Sequence, residues 1–199
     1  MKSLKLFLVI LLAVGLMSCG KKTEAPKTSD ADTKTETKKD YTPQIQLYKL
    51  SGVEKSTGSK IAPNFSWDEN GKKASLTDLK GKVVFVNFWA TWCGPCKKEM
   101  PDLSEISKEL KDKNFKMLGM NVFQQEGTPK VDDFLRLNPL SYAVIDGNDE
   151  LVKAFGDASG NDMQAIPVSF IINKEGKIVE TIVGSKKKDE FLNLINKYL

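Results

Sequence analysis

Two largely apolar runs dominate the middle of the chain, at residues 83–89 and 115–122. Their β-branched and aromatic content predicts two strands that are buried on both faces of a sheet. Between the runs, apolar side chains recur at helical spacing, which predicts a helix over about 93–111. Those side chains are Met100, Leu103, Ile106 and Leu110. A strand, a helix and a strand of these lengths form a βαβ unit with a right-handed crossover.

The C-terminal half predicts a different order of elements. An apolar cluster at 131–135 predicts a short helix, and residues 142–145 predict a short strand. Two further apolar stretches, 168–172 and 178–183, flank a turn and predict a β-hairpin. A final helix has one apolar face, made of Phe191, Leu192, Leu194, Ile195 and Tyr198. A βαβ half followed by a ββα half predicts an α/β fold, a mixed central sheet with helices on both faces.

The N-terminus has the pattern of an export signal. Lys2 and Lys5 precede an apolar stretch, 6–17, which is shorter than the roughly 20 residues that span a bilayer. The following Leu-Met-Ser-Cys, which ends at Cys19, resembles a bacterial lipobox, where the peptide is cleaved before the cysteine and the sulfur is lipidated. We therefore predict a signal peptide over 1–18 and a lipid anchor on Cys19, on the periplasmic side of the envelope or in the outer membrane. The alternative is an uncleaved short anchor with an incidental cysteine.

The segment after Cys19 predicts a tether. Residues 20–40 contain no large apolar side chain, so they cannot bury enough surface to offset their ordering entropy. Residues 41–57 are ambiguous, because their apolar positions could form an extra strand but Gly52 and Gly58 interrupt the pattern. These boundaries divide the chain into a signal peptide (1–18), a lipidated cysteine with a flexible tether (19–57) and a folded domain (58–199).

Composition excludes several kinds of chemistry. The 199 residues include no histidine, which excludes Ser-His-Asp and Cys-His catalysis and removes the commonest zinc ligand. The net charge of +4 and the single arginine, Arg136, do not favour nucleic-acid binding. Three cysteines are present. If Cys19 carries lipid, Cys93 and Cys96 are the one pair left for redox chemistry.

That pair lies in the sequence Cys93-Gly94-Pro95-Cys96, where the predicted strand gives way to the predicted helix. A cysteine at a helix N-terminus ionises below its free pKa of about 8.5, because the N–H groups and the helix dipole favour negative charge there. Two thiols at this spacing can also close a disulfide with each other. The motif therefore predicts electron exchange with other thiols and disulfides. The alternatives are a structural disulfide and a zinc pair, for which no second such motif supplies the remaining ligands.

Residues 86–101, which contain this motif, resemble the active-site segment of thioredoxin-like proteins of the TlpA/ResA family. Motifs at 62–65, 76–82 and 166–176 are similar to flanking motifs of that family, in the same order. The resemblance covers about residues 60–199 and implies a thioredoxin-like fold. It also implies a membrane-tethered thiol–disulfide oxidoreductase that acts on protein thiols and disulfides and takes electrons from a membrane thiol donor. We predict no cofactor and no metal.

The resemblance also implies roles for individual residues. Cys93 would attack a partner disulfide, and Cys96 would resolve the mixed disulfide. Glu99 would handle protons for the two thiols, and the alternative is an exposed helix glutamate among lysines. Pro167 would be a cis-proline facing the cysteines, with the backbone of Ile166 binding a partner chain by strand addition. The alternative for Pro167 is a trans-proline at the start of an edge strand.

Three neighbours of the thiols complete the predicted site. Trp92 precedes the nucleophile and is predicted to form a docking rim, whereas Trp89 is predicted to belong to the core. Gly94 and Pro95 lie between the thiols, and this pair resembles reducing thioredoxins more than strong oxidases. Asn87 stands where thioredoxin has an aspartate, so it cannot serve as a buried base and its expected role is structural.

These features favour a protein-disulfide reductase, with apocytochrome c cysteines among its candidate substrates. Two other functions stay open. One is a peroxidase of the peroxiredoxin type that uses Cys93, although Ala90 stands where those enzymes carry a threonine. The other is a non-catalytic docking module that presents the fold as a surface.

Overall fold

The computed structural model describes residues 45–199. Eight strands form one mixed sheet in the order β3-β2-β1-β6-β5-β4-β7-β8. In chain order the strands are β1 (Leu47–Val53), β2 (Phe65–Glu69), β3 (Lys72–Ser75), β4 (Val83–Trp89), β5 (Phe115–Asn121), β6 (Ala143–Asp146), β7 (Val168–Ile172) and β8 (Ile178–Val183). The predicted signal peptide and the predicted lipidation of Cys19 lie outside the described residues.

Helices cover both faces of the sheet, as the sequence predicts. They are α1 (Gly94–Glu109), α2 (Val131–Leu137), α3 (Asp149–Ser159) and α4 (Lys188–Ile195), with a short 3₁₀ helix at Leu76–Leu79. The apolar side chains of α3 belong to the core on one face, and those of α1, α2 and α4 belong to the core on the other. Within residues 45–199 no helix combines the length and the apolar character that crossing a membrane requires.

Strand β4 is an interior strand of the sheet and leads directly to the two cysteines. All seven of its residues are buried, as predicted from the apolar run. It pairs in parallel with β5 and antiparallel with β7, so that the β4 C-terminus lies beside the start of β7. This pairing brings the residues after Trp89 close to Pro167, although the two are distant in sequence.

The sheet begins earlier in the chain than the predicted domain boundary at residue 58. Strand β1 lies between β2 and β6 and pairs with both. Gly52 does not end the strand, because the irregularity there is absorbed as a shift of register against β2. The segment assigned to a tether, 19–57, therefore contains a strand of the sheet, and its part before residue 45 lies outside the described residues.

Strands β2 and β3 and helix α3 have no counterpart in the sequence analysis. Strands β2 and β3 form a hairpin at one edge of the sheet, where β3 is mostly polar and lacks alternation. Helix α3 lies between the predicted strand at 142–145 and the predicted hairpin, where the sequence analysis predicts no element. Its signals are present in the sequence: the Asn148 side chain caps its first turn by accepting from the Leu151 N–H, and Gly160 ends it at a positive φ of 74°.

Candidate active site

The two cysteines lie at the junction of β4 and α1, where the sequence places them. Cys93 is the N-cap residue of α1, and its Sγ atom accepts a hydrogen bond from the Cys96 N–H at 3.2 Å. Cys93 and Cys96 are joined by a disulfide, with their Cα atoms 5.3 Å apart. A helix N-terminus aimed at one sulfur stabilises negative charge on that sulfur once the bond is reduced.

The disulfide lies beneath an exposed stretch of backbone. Cys93 is 3% exposed and Cys96 is 1% exposed, so both residues are buried. Gly94 and Pro95, between them, are exposed, so the disulfide lies close to the surface.

Trp92 forms part of the surface beside Cys93. It is 37% exposed, and its indole N–H donates to the Phe123 carbonyl at 2.7 Å. The neighbouring Thr91 is buried, and its hydroxyl donates to the Pro129 carbonyl at 2.9 Å. The connection after β5 therefore holds the segment that precedes the nucleophile. Trp89 is fully buried, in agreement with its predicted place in the core.

Pro167 immediately precedes β7, and the residue before it lies close to the disulfide. The Ile166–Pro167 peptide bond is cis, as the family resemblance implies. The Ile166 carbonyl oxygen lies 3.8 Å from Cys93 Sγ. The backbone before Pro167 is therefore next to the sulfur of Cys93.

Glu99 lies on α1, one turn past Cys96, and is 2% exposed. Its Oε1 atom accepts from Asn87 Nδ2 at 2.9 Å, and the same nitrogen donates to Ser169 Oγ at 3.0 Å. Its Oε2 atom has no hydrogen-bond partner among the described residues. Glu99 is therefore not the exposed surface glutamate that was the alternative interpretation.

The environment of Glu99 favours its neutral form. Burial raises the pKa of this carboxyl from 4.5 to about 7, and the negative charge of Asp102 adds to the rise. Contacts from Asn87, Ser185 and the Lys186 backbone oppose it. A carboxyl with a pKa near neutrality exchanges protons readily under physiological conditions.

Residues 56–196 match the protein-family model described as Redoxin. This chain belongs to the Redoxin family. Among curated relatives, the thiol-disulfide oxidoreductase ResA of Bacillus cereus is 37% identical over 150 residues, which are 74% of this chain and 82% of the relative.

Solved structures agree with the family assignment. A thiol:disulfide interchange protein of the thioredoxin family from Chlorobium tepidum is similar with a TM-score of 0.61 and 33% identity, covering 72% of this chain and 98% of that one. An exposed lipoprotein thioredoxin from Streptococcus pneumoniae is similar with a TM-score of 0.52 and 32% identity, covering 64% of this chain and 93% of that one. The fold is thioredoxin-like, and this Redoxin-family chain is a thiol–disulfide oxidoreductase.

Two features of the Redoxin-family site escaped the sequence analysis. Ser169 was not singled out, although it comes two residues after Pro167 on a strand predicted to be buried. Asn87 was expected to be structural, and its contact with Glu99 joins two residues that were considered separately. No group of three or more histidine, cysteine or acidic side chains in residues 45–199 is arranged to hold a metal ion.

Proposed function

We propose that this protein reduces disulfides in other proteins outside the cytoplasm, through a cycle of the Cys93–Cys96 pair. The observation that carries the proposal is the position of Cys93. Its sulfur caps α1 and lies next to the backbone of Ile166. A nucleophile and a docking strand for a polypeptide substrate are thereby adjacent.

The reaction proceeds by two exchanges. In the dithiol form, the Cys93 thiolate attacks one sulfur of a partner disulfide, and the other partner sulfur leaves as a thiolate. The Cys96 thiolate then attacks Cys93 Sγ in the mixed disulfide, which releases the second partner sulfur. Two electrons have passed to the partner, and the protein is left with the disulfide bond of the present structure.

Glu99 supplies the proton transfer in this proposal. Cys96 must lose its proton before it can attack, and Glu99 lies one turn away on the same buried face of α1. With a pKa of about 7, its carboxyl is partly ionised at neutral pH and can accept that proton. Asn87 cannot titrate, so it serves to hold Glu99 rather than to replace it.

The partner chain docks beside Ile166 in this proposal. An extended segment that pairs with the backbone there would place its disulfide against Cys93 with little dependence on its own sequence. Trp92, the residue before Cys93, offers a partly exposed apolar ring whose N–H is already bonded to Phe123. Gly94 and Pro95 leave the approach open because neither carries a long side chain.

Membrane tethering is the second part of the proposal. A lipid on Cys19 would hold the domain at the envelope, where a membrane thiol donor returns it to the dithiol form. The support is the lipobox at the N-terminus and the likeness to a lipoprotein thioredoxin from Streptococcus pneumoniae. Apocytochrome c cysteines are one substrate class in this proposal, and the family resemblance of the sequence motivates their inclusion. Mass spectrometry of the mature protein tests the predicted lipid anchor, and a free Cys19 thiol would refute it.

The redox proposal is tested with insulin as a model disulfide and dithiothreitol as electron source. We expect wild-type protein to accelerate the reduction of insulin, and Cys93→Ala to lose this acceleration entirely because the attacking sulfur is gone. Cys96→Ala should still attack but stop at the mixed disulfide, which gel electrophoresis without reductant would detect. Full activity in Cys93→Ala would show that the assignment is wrong.

The direction of electron flow is tested by the reduction potential of the pair. Equilibration with glutathione buffers should give a value near about −270 mV for a reductant, as in thioredoxin, whereas about −120 mV would indicate an oxidase. Consumption of hydrogen peroxide at a rate above that of Cys93→Ala would favour the peroxidase instead. Retained binding of a partner by Cys93→Ala, without any exchange in the wild type, would favour a docking module.

A further inference from the structure

A buried hydroxyl connects the strand after Pro167 to the proposed proton carrier. Ser169 lies in β7 directly opposite Asn87 in β4, and both side chains are buried. The Asn87 Nδ2 atom donates to Ser169 Oγ at 3.0 Å and to Glu99 Oε1 at 2.9 Å. One amide nitrogen therefore joins β7, β4 and α1.

The orientation of the Asn87 amide depends on these two contacts. Its Oδ1 atom is buried and has no hydrogen-bond partner among the described residues. An amide nitrogen only donates and an amide oxygen only accepts, so the end that faces Glu99 affects the ionisation of the carboxyl. The nitrogen end bonds the carboxylate more strongly than the carbonyl oxygen of the neutral acid, and the oxygen end can bond only the O–H of the neutral acid.

Ser169 favours the amide orientation that stabilises the Glu99 carboxylate. In the structure its Oγ accepts the second N–H of Asn87, which fixes the nitrogen end toward Glu99. A methyl group at this position would offer no acceptor to that N–H, so it would not hold the amide in this orientation.

Other groups that face Glu99 do not depend on Ser169. Asp102 lies further along α1 and disfavours ionisation of Glu99, and Tyr142 faces it from the segment before β6. Ser185 and Lys186, in the connection between β8 and α4, favour ionisation. The two sulfurs on the α1 side form a disulfide and carry no charge in this state. A change confined to Ser169 therefore reaches Glu99 through Asn87.

We propose that Ser169 is a positioning residue that holds the Asn87 amide with its nitrogen toward Glu99 and thereby sets the pH at which Glu99 exchanges its proton. The proposal rests on the proposed function in one respect, namely that Glu99 handles the proton of Cys96. Since Ser169 is two residues from Pro167, the same strand would present the docking backbone and tune the proton carrier.

The test is a pH titration of the Glu99 carboxyl carbon by NMR in the oxidised full chain, which requires no exchange activity. Ser169→Ala should move the midpoint upward by roughly half to one pH unit, a three- to tenfold weaker acid, because the Asn87 amide is no longer held with its nitrogen toward the carboxylate. Ser169→Thr keeps the hydroxyl and should bring the midpoint back toward the wild-type value.

Ser66→Ala is the matched control, because Ser66 is also a buried serine in a strand but lies in β2, far across the sheet from Glu99. It should leave the midpoint unchanged. In the reduced protein, Ser169→Ala should shift the pH profile of thiol alkylation in the same direction, and in a Glu99→Gln background it should shift nothing.

An unchanged Glu99 midpoint in folded Ser169→Ala, or an equal shift in Ser66→Ala, would overturn the inference. If Ser169→Ala does not fold, a midpoint for Ser169→Thr that differs from wild type by as much as the predicted Ala shift would overturn it too. Failure of the proposed function would give a different result from failure of the Ser169 inference. Wild-type protein would then not reduce insulin, whatever the Glu99 titration shows.

Discussion

The two faces of the sheet bury different kinds of side chain. On the face covered by α3, the Phe155 ring contacts those of Phe88 and Phe170 with centroids 5.1 Å apart in each pair, and that of Phe65 at 6.0 Å. On the face covered by α1, α2 and α4 lie the disulfide and the Glu99–Asn87–Ser169 contacts. Strand β4 supplies alternate side chains to both.

This difference indicates how the fold tolerates its redox site. Among the described residues, Glu99, Asn87, Trp89 and Tyr142 on the α1 side have buried polar atoms without partners, and Trp67 on the α3 side has one. Buried polar atoms of this kind destabilise a protein. The phenylalanine rings on the α3 side carry no polar atoms, and their packing stabilises strand β4. The aromatic side chains that stabilise the fold and the groups that take part in the redox chemistry therefore lie largely on opposite faces of the sheet.

Among the variants that test this separation of the two faces, Phe155→Ala has the largest expected effect. Phe155 is fully buried and touches three other rings, so its truncation should lower the free energy of unfolding by about 3–5 kcal/mol. Urea unfolding measures this change. The rate of disulfide exchange per folded molecule should stay near that of the wild type. A large loss of that rate in the folded variant would mean that the two faces are coupled.

Glu99→Gln tests the other face through pH. Because the folded-state pKa of about 7 lies above the ordinary 4.5, ionisation costs the folded state stability that is present below pH 4.5 and is lost as the pH rises through 7. The wild type should lose about 3 kcal/mol between pH 4.5 and pH 8 from this group. Glu99→Gln should lack that decrease and be the more stable protein at pH 8.

Urea unfolding of both proteins at the two pH values measures the difference. Asp112→Asn is the control, since Asp112 is an exposed carboxylate near the end of α1. It should follow the wild-type pH dependence. A Glu99→Gln curve parallel to that of the wild type would mean that Glu99 titrates normally and does not carry the proton.

The smallest expected effect concerns the helix on the aromatic face. Asn148→Ala removes the side chain that caps α3 and should lower the free energy of unfolding by about 1 kcal/mol. Thermal unfolding detects a change of this size. Insulin reduction should be unaffected, and a slower reaction at a temperature where the variant is folded would contradict the separation of the faces.

The sequence predicts those helices and strands that depend on a local pattern of apolar residues. Strands β4 and β5, helix α1 and the C-terminal hairpin follow from apolar runs and helical spacing, and the structure confirms them. Strand β3 could not be predicted in the same way, because its two lysines and small side chains hold an edge position through pairing with β2 alone. Helix α3 was missed although Asn148 and Gly160 marked its ends.

The candidate site likewise has features that a local sequence pattern predicts and features that depend on distant parts of the chain. The position of the Cys93–Cys96 disulfide at the start of α1 could be predicted, since the motif follows a buried strand directly. The burial of Glu99 could not, because lysines at 97 and 98 precede it and its cover comes from distant parts of the chain. The contact of Asn87 with Ser169 likewise depends on the pairing of β4 with β7, which no local pattern specifies.

Strand β1 has a practical consequence for anyone who shortens this protein. It is an interior member of the sheet, bonded to β2 on one side and β6 on the other. A truncated chain that started at residue 58 would leave two facing rows of amide and carbonyl groups without partners. Such bare edges recruit strands from other molecules, so that product would tend to self-associate and precipitate instead of behaving as a smaller monomer.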